Sequence, residues 1–200
     1  MTKADEIFVR LSGAAAFMVP GMALWVRSGY SWGAVVLLLC SLATAWVWLR
    51  RPPGRDAWLL LASIVAMGTV WALDFDPAQG SWSNLDRPAK YLLALPCLLY
   101  VLAYPPRVRW LWAGIAVGAC GAGLIGLYQA LVLHLPRANG FTNAIQYGGL
   151  SLLLGLMCSV ALLVLWDRWK PWQRAGGAVG ILLGLEGSLL SLSLIHISEP

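Results

Sequence analysis

From residue 8 onward the chain is a run of apolar stretches, each about as long as a bilayer is thick, separated by short breaks of arginine, proline and glycine. A helix crossing the hydrocarbon core of a membrane needs roughly 20 apolar residues. Seven stretches come near that length: 8–26 with Pro20 inside it, 32–49, 57–73, a short one at 91–104 carrying Pro96, 110–133, 147–166, and a seventh starting near Ala175. In lipid no solvent satisfies a backbone N–H or C=O, so each stretch is expected to be helical. The short alternating strands of a membrane β-barrel are not visible in the sequence. Composition excludes the other classes. At 60% hydrophobic and 12% charged residues, the chain has too few charges to cover a water-soluble globule and too much apolar material for disorder. The expected fold is all-α, a polytopic transmembrane bundle of about six complete spans plus a truncated seventh.

The breaks are of the type that ends a helix. Arg50-Arg51-Pro52-Pro53-Gly54-Arg55 and Pro105-Pro106-Arg107 contain paired prolines, which lack a donor and fix φ. Trp25, Trp32, Trp110, Trp166, Trp169 and Trp172 fall near the ends of stretches, where an indole keeps its ring in lipid and its N–H among headgroups. Gly114-x-x-x-Gly118, with Gly121, Gly123 and Gly126, lays small residues along the fifth helix, a pattern for close helix contact. Cys40, Cys97, Cys120 and Cys158 lie inside four different stretches and are expected to act as small apolar residues. No spacing in the sequence suits a metal, and no cofactor is expected.

Basic residues orient the bundle. With the N-terminus in the cytoplasm, Lys3, Arg10, Arg50, Arg51, Arg55, Arg107, Arg109, Arg168, Lys170 and Arg174 face inward, and Arg27, Arg87, Lys90 and Arg137 face outward, ten against four of the 14. Positive-inside bias selects this orientation over its inverse. The net charge of +5 is then topological and implies no nucleic acid. The two longer connections, 74–90 and 134–146, are then expected to face outward, which in a Gram-negative cell is the periplasm. Glu186 is the clear ionisable residue within a span and a functional suspect on that ground. The cations Arg87, Lys90 and Arg137 stand on the side that the bias discourages. A guanidinium fork matches phosphate oxygens. Snorkelling to lipid phosphates is the alternative role for Arg87 and Lys90.

The second connection reads Arg137-Ala138-Asn139-Gly140-Phe141-Thr142-Asn143 and runs into a Gly-containing apolar helix. It resembles the Arg-Ala-x-Gly-x-x-Asn signature of the O-antigen ligase and polymerase superfamily. The stretch from Leu85 to Pro96, with Asp86-Arg87-Pro88-Ala89-Lys90, is similar to the ligase branch. The resemblance implies a membrane glycosyltransferase. Such a ligase moves O-antigen from undecaprenyl pyrophosphate to the lipid A-core acceptor on the periplasmic face of the bacterial inner membrane, inverting the anomeric centre without a metal. It implies that Arg137 binds the carrier pyrophosphate and that Asn143 orients the site. Arg87 matches the arginine of the earlier motif, and the resemblance implies a further substrate-binding residue there. The family often has Asn-Pro where this chain has Asn143-Ala144. The family's catalytic histidine is expected beyond the end of the chain; His134 does not match it and is expected to be a helix-end residue. Residues 1–192 would be the N-terminal part of the ligase-like domain. Residues 193–200 resemble a translated sequencing adapter and are expected to be non-native, so His196 and Glu199 carry no role. The nearest alternative is an O-antigen or exopolysaccharide polymerase. From another class comes a small-molecule transporter, which would show paired half-repeats, and none is visible in the sequence.

Reporter fusions test the orientation. A periplasm-dependent reporter is expected to be active at Gly80 and Asn139 and silent at Gly54; activity at Gly54 would reverse it.

Overall fold

The computed structural model describes residues 3–50, 54–73 and 86–192. The arginine-proline break at 51–53, the connection at 74–85 and the tail at 193–200 lie outside the described residues, as does the side chain of Arg87. Among the described residues all regular structure is helical. The helices are α1 (Lys3–Met22), α2 (Gly29–Ala43), α3 (Ala45–Arg50), α4 (Arg55–Leu73), α5 (Asp86–Ala103), α6 (Val108–Leu127), α7 (Ala144–Leu165) and α8 (Pro171–Leu192). A π-helical turn, Tyr128–Val132, extends α6, and a 3₁₀ turn, Trp166–Arg168, extends α7. Three of these are long and apolar enough to cross a membrane: Arg55–Leu73, Val108–Val132 and Ala144–Arg168. Gly29–Ala43 and Pro88–Ala103 are shorter apolar helices.

Two expected stretches differ from the sequence pattern. The first helix ends at Met22, before 26, and the chain turns back through Ser28, whose φ is +55°. Gly29 closes that turn against the Met22 carbonyl, where any Cβ would collide with backbone. The second stretch is divided at Thr44. The Thr44 hydroxyl donates to the Cys40 carbonyl at 2.7 Å, a back-bond that bends helices. The indole N–H of Trp48 then reaches over the break to the Ser41 carbonyl at 2.8 Å.

The chain forms two compact units, one of Met1–Ser12 with Ala34–Pro106, the other of Gly13–Gly33 with Arg107–Pro200. In the first, Cys40, Tyr100 and Tyr104 make a buried cluster with Phe8 and Val36 beside it. The Tyr100 hydroxyl donates to the Phe8 carbonyl at 2.6 Å, so a phenol that would be costly to bury alone is satisfied.

In the second unit small residues set the packing. Gly114 and Gly118 face the backbone of Phe17 and Pro20, as the glycine spacing suggests. Gly123 meets Leu183, and Gly155 of α7 meets Gly184 of α8, backbone against backbone. The Ser151 hydroxyl donates to the Gly184 carbonyl at 2.9 Å in the same contact. Leu24, Ile115, Ala119, Ala122, Ala138, Tyr147, Leu154 and Cys158 fill the core between. Side chains facing outward, such as Leu163 and Ile145, are apolar and exposed, as expected of helices whose outer solvent is lipid.

A Cβ on Gly184 would lie 2.7 Å from the Gly155 Cα and 3.0 Å from the Ser151 carbonyl oxygen. Gly184→Ala is therefore expected to lower stability by about 1–3 kcal/mol through overpacking. Gly149→Ala, where a Cβ meets nothing within 4 Å, is expected to be neutral or stabilising. Thermal unfolding in detergent compares the two; an unchanged Gly184→Ala would contradict the close contact.

Candidate functional site

The site forms where α6 ends, the connection 133–143 turns, and α7 begins. At the end of α6 the backbone widens by one residue: the Leu133 N–H donates to the Tyr128 carbonyl at 3.2 Å, a five-residue step. Such π turns recur at functional positions. His134 follows with φ +50° and an exposed side chain, the helix-end place the sequence suggests.

Gln129, in the widened turn, is buried and holds the connection by all its polar valences. Its Nε2 donates to the Asn139 side-chain oxygen at 3.1 Å and to the Gly140 carbonyl at 2.9 Å. Its Oε1 accepts the backbone N–H groups of Asn139 and Gly140, both at 2.9 Å. A primary amide offers two donors and two acceptor lone pairs, and here none is left over. Gly140 takes φ +55° against the Leu24 carbonyl and the Tyr147 ring, where a side chain would be strained as well as crowded. The Ala138 N–H donates to the Leu190 carbonyl at 3.1 Å, tying the connection to the end of α8. Beneath it the Tyr147 hydroxyl donates to the Ala122 carbonyl.

Asn143 is the N-cap of α7: its side-chain oxygen accepts the Gln146 N–H at 2.8 Å. Capping satisfies one of the helix's orphan donors. Ala144 then occupies the first helical position.

Arg137, on the connection these bonds hold, is half-buried. Its Nε is one of two buried side-chain polar atoms without a hydrogen-bond partner among the described residues. It lines a cavity of about 330 Å³ with Ala144, Ile145, Gly148, Ser188 and Ser191. The Ser191 hydroxyl donates to the Ser188 carbonyl at 2.7 Å. A buried donor left unpaired is expensive, and Arg137 brings one to the wall of this cavity.

Arg137 and Asn143 thus stand on one clamped connection. Arg87 lies in the first turn of α5, with its side chain outside the described residues. Glu186 is half-buried on α8 between Gly184 and Gly187, whose contacts are with Gly155 and Ser151. The four cysteines are free. Gln129 was not singled out by any motif. Its signal is a lone amide within an otherwise apolar span, the type of residue that is rare at membrane depth.

No protein-family model matches the chain. Over 81 residues, 40% of its length, the chain is 30% identical to a UPF0060 membrane protein of Acidovorax sp. (strain JS42), and the match covers 72% of that protein. With the apolar helices, this likeness gives the chain a membrane location.

Gln129→Leu would leave the N–H groups of Asn139 and Gly140 and the Gly140 carbonyl without their partner. About 1–3 kcal/mol of stability is expected to be lost, with faster proteolysis within 133–143. Gln129→Glu, which keeps the acceptor and loses the donors, is expected to fall between. Wild-type melting and proteolysis in Gln129→Leu would show that the clamp does not hold the connection.

Proposed function

We propose that this chain, which belongs to the UPF0060 membrane protein family, acts in the membrane as an O-antigen ligase-like glycosyltransferase, with Arg137 receiving the pyrophosphate of an undecaprenyl-linked glycan. The observation that carries this is the buried, unpartnered Nε of Arg137 at a cavity that also offers Ser188 and Ser191. A guanidinium gives two parallel donors to phosphate oxygens. In the transfer, the acceptor hydroxyl of lipid A-core attacks the anomeric carbon, the bond from that carbon to the pyrophosphate oxygen breaks, and the electron pair leaves with the pyrophosphate. Arg137 meets the charge that develops there. The proton of the acceptor hydroxyl goes to a base that is assigned to no residue of this chain. Asn143 acts by fixing the start of α7, and Arg87 is a second cation for the carrier.

The setting proposed with it is the bacterial inner membrane, with the N-terminus in the cytoplasm and the connection 133–143 toward the periplasm. In that topology the apolar stretches make six spans and a seventh helix. Residues 1–192 form the ligase-like part in this reading. The support is the ten-to-four division of basic residues.

The test is carrier binding by the purified chain in detergent. Undecaprenyl pyrophosphate is expected to bind, and Arg137→Ala to weaken it about tenfold to a hundredfold, the range of a lost charged hydrogen bond. Arg137→Lys is expected to fail nearly as far, since an ammonium does not reproduce the fork. Unchanged binding by folded Arg137→Ala would remove Arg137 from the site. Full rescue by lysine would reduce it to a point charge.

A further inference from the structure

At the opposite end of the same helices, where α6 and α8 begin and the 3₁₀ turn after α7 finishes, lies a second and larger cavity of about 570 Å³. Its walls carry two guanidiniums, Arg109 and Arg168, three indoles, Trp112, Trp169 and Trp172, and the amide of Gln173. We propose that this cavity is a binding site for an anionic phospholipid, with Arg109 and Arg168 on its phosphate and the indoles against its glycerol and upper chains.

Charge complementarity selects the occupant. Arg109 and Arg168 are exposed, and among the described residues neither has an ion-pair partner. Within six residues of one or the other in the sequence are Arg107, Lys170 and Arg174, against one carboxylate, Asp167. Arg174 is already engaged: its Nε donates to the Trp166 carbonyl at 2.9 Å and its guanidinium lies 4.6 Å from the Trp166 ring centre. Arg109 and Arg168 are the guanidinium forks on the cavity wall itself, open to an external anion. The Gln173 oxygen accepts the Lys170 N–H at 2.9 Å and caps the start of α8, which leaves its amide N–H₂ to the cavity.

The rest of the lining separates a lipid from a soluble anion. Three tryptophans and the aliphatic sides of α6 and α8 make most of the wall, and indoles at a helix end belong to the headgroup layer of a bilayer. Basic pockets between spans on the side rich in lysine and arginine take acidic headgroups. Room for the glycerol region comes from the glycine pair Gly176-Gly177 on α8. A Cβ on Gly176 would meet nothing within 4 Å, and one on Gly177 would lie 3.0 Å from the Trp169 ring. The acyl chains would continue over exposed apolar side chains such as Val108 and Trp172. None of these residues takes part in the Arg137 site, so either assignment can fail without the other.

The test is lipid retention by the delipidated full chain in detergent, read by native mass spectrometry. Dioleoylphosphatidylglycerol is expected to bind in preference to dioleoylphosphatidylcholine. Arg109→Gln and Arg168→Gln are each expected to weaken it about fivefold and to combine to roughly 25-fold, as a surface arginine does toward acidic lipid. Gly176→Leu, which fills the cavity and changes no charge, is expected to weaken it as well. Arg50→Gln with Arg55→Gln removes the same charge elsewhere and is expected to change retention less than twofold. Equal retention of the two lipids would overturn the proposal, as would an equal loss in the Arg50 and Arg55 control. Displacement of the lipid by millimolar glycerol phosphate would also overturn it, because the headgroup alone would then be the ligand.

Discussion

Close approach between α7 and α8 is the contact on which the second unit depends. Between helices in lipid, burying a leucine gains little, because the acyl chains it leaves are as apolar as the helix it meets. Selectivity has to come from how near two backbones can come. Gly155 and Gly184 bring theirs together, and the Ser151 hydroxyl bonds to the Gly184 carbonyl within that gap. Gly148 beside Ser191 and Gly187 beside Ser151 extend the seam toward the end of α8. That seam sets the position of Leu190, and the Leu190 carbonyl is what the Ala138 N–H finds. The connection bearing Arg137 is therefore placed by the glycine seam between α7 and α8.

A second level of order is polar. The connection 133–143 has no ladder of its own, and its backbone groups need partners from elsewhere. Gln129 supplies four bonds, α8 supplies one, and Asn143 closes the start of α7. With Gln129 fully committed, the unpartnered Nε of Arg137 stands out. An arginine on a loosely held loop would turn to water. On this loop the neighbours leave it facing a cavity.

Much of this was legible from residue types. Long apolar stretches and paired prolines gave the helices: the expected 110–133 stretch appears as α6 with its π turn, Val108–Val132. The Gly114 and Gly118 spacing predicts close packing, and their neighbours are the backbones of Phe17 and Pro20. The features that hydropathy does not reveal are local and polar. The break at Thr44 comes from a hydroxyl that bonds back four residues, and hydropathy does not register a single threonine in an apolar run. The early end of α1 comes from a turn through Ser28 and Gly29. The role of Gln129 depends on residues ten and eleven positions later, and no window of helical periodicity links them. Asn143, read as part of a signature, has a local duty as a cap that any helix start of this type would need.

The π turn at Tyr128–Val132 has a consequence for how this segment can change over evolutionary time. A π turn holds one residue more than the α-helical turn it replaces, so a helix can gain or lose a residue there while the turns before it keep their facing. At α6 the glycine face that meets α1 and α8 lies upstream, and Gln129 with the connection lies downstream. The two could diverge in register independently: the packed portion held in phase by its neighbours, the outer portion free to present a different side chain at the place Gln129 now fills. Single-residue insertions among relatives would be expected to gather at this turn and to be absent from the glycine face.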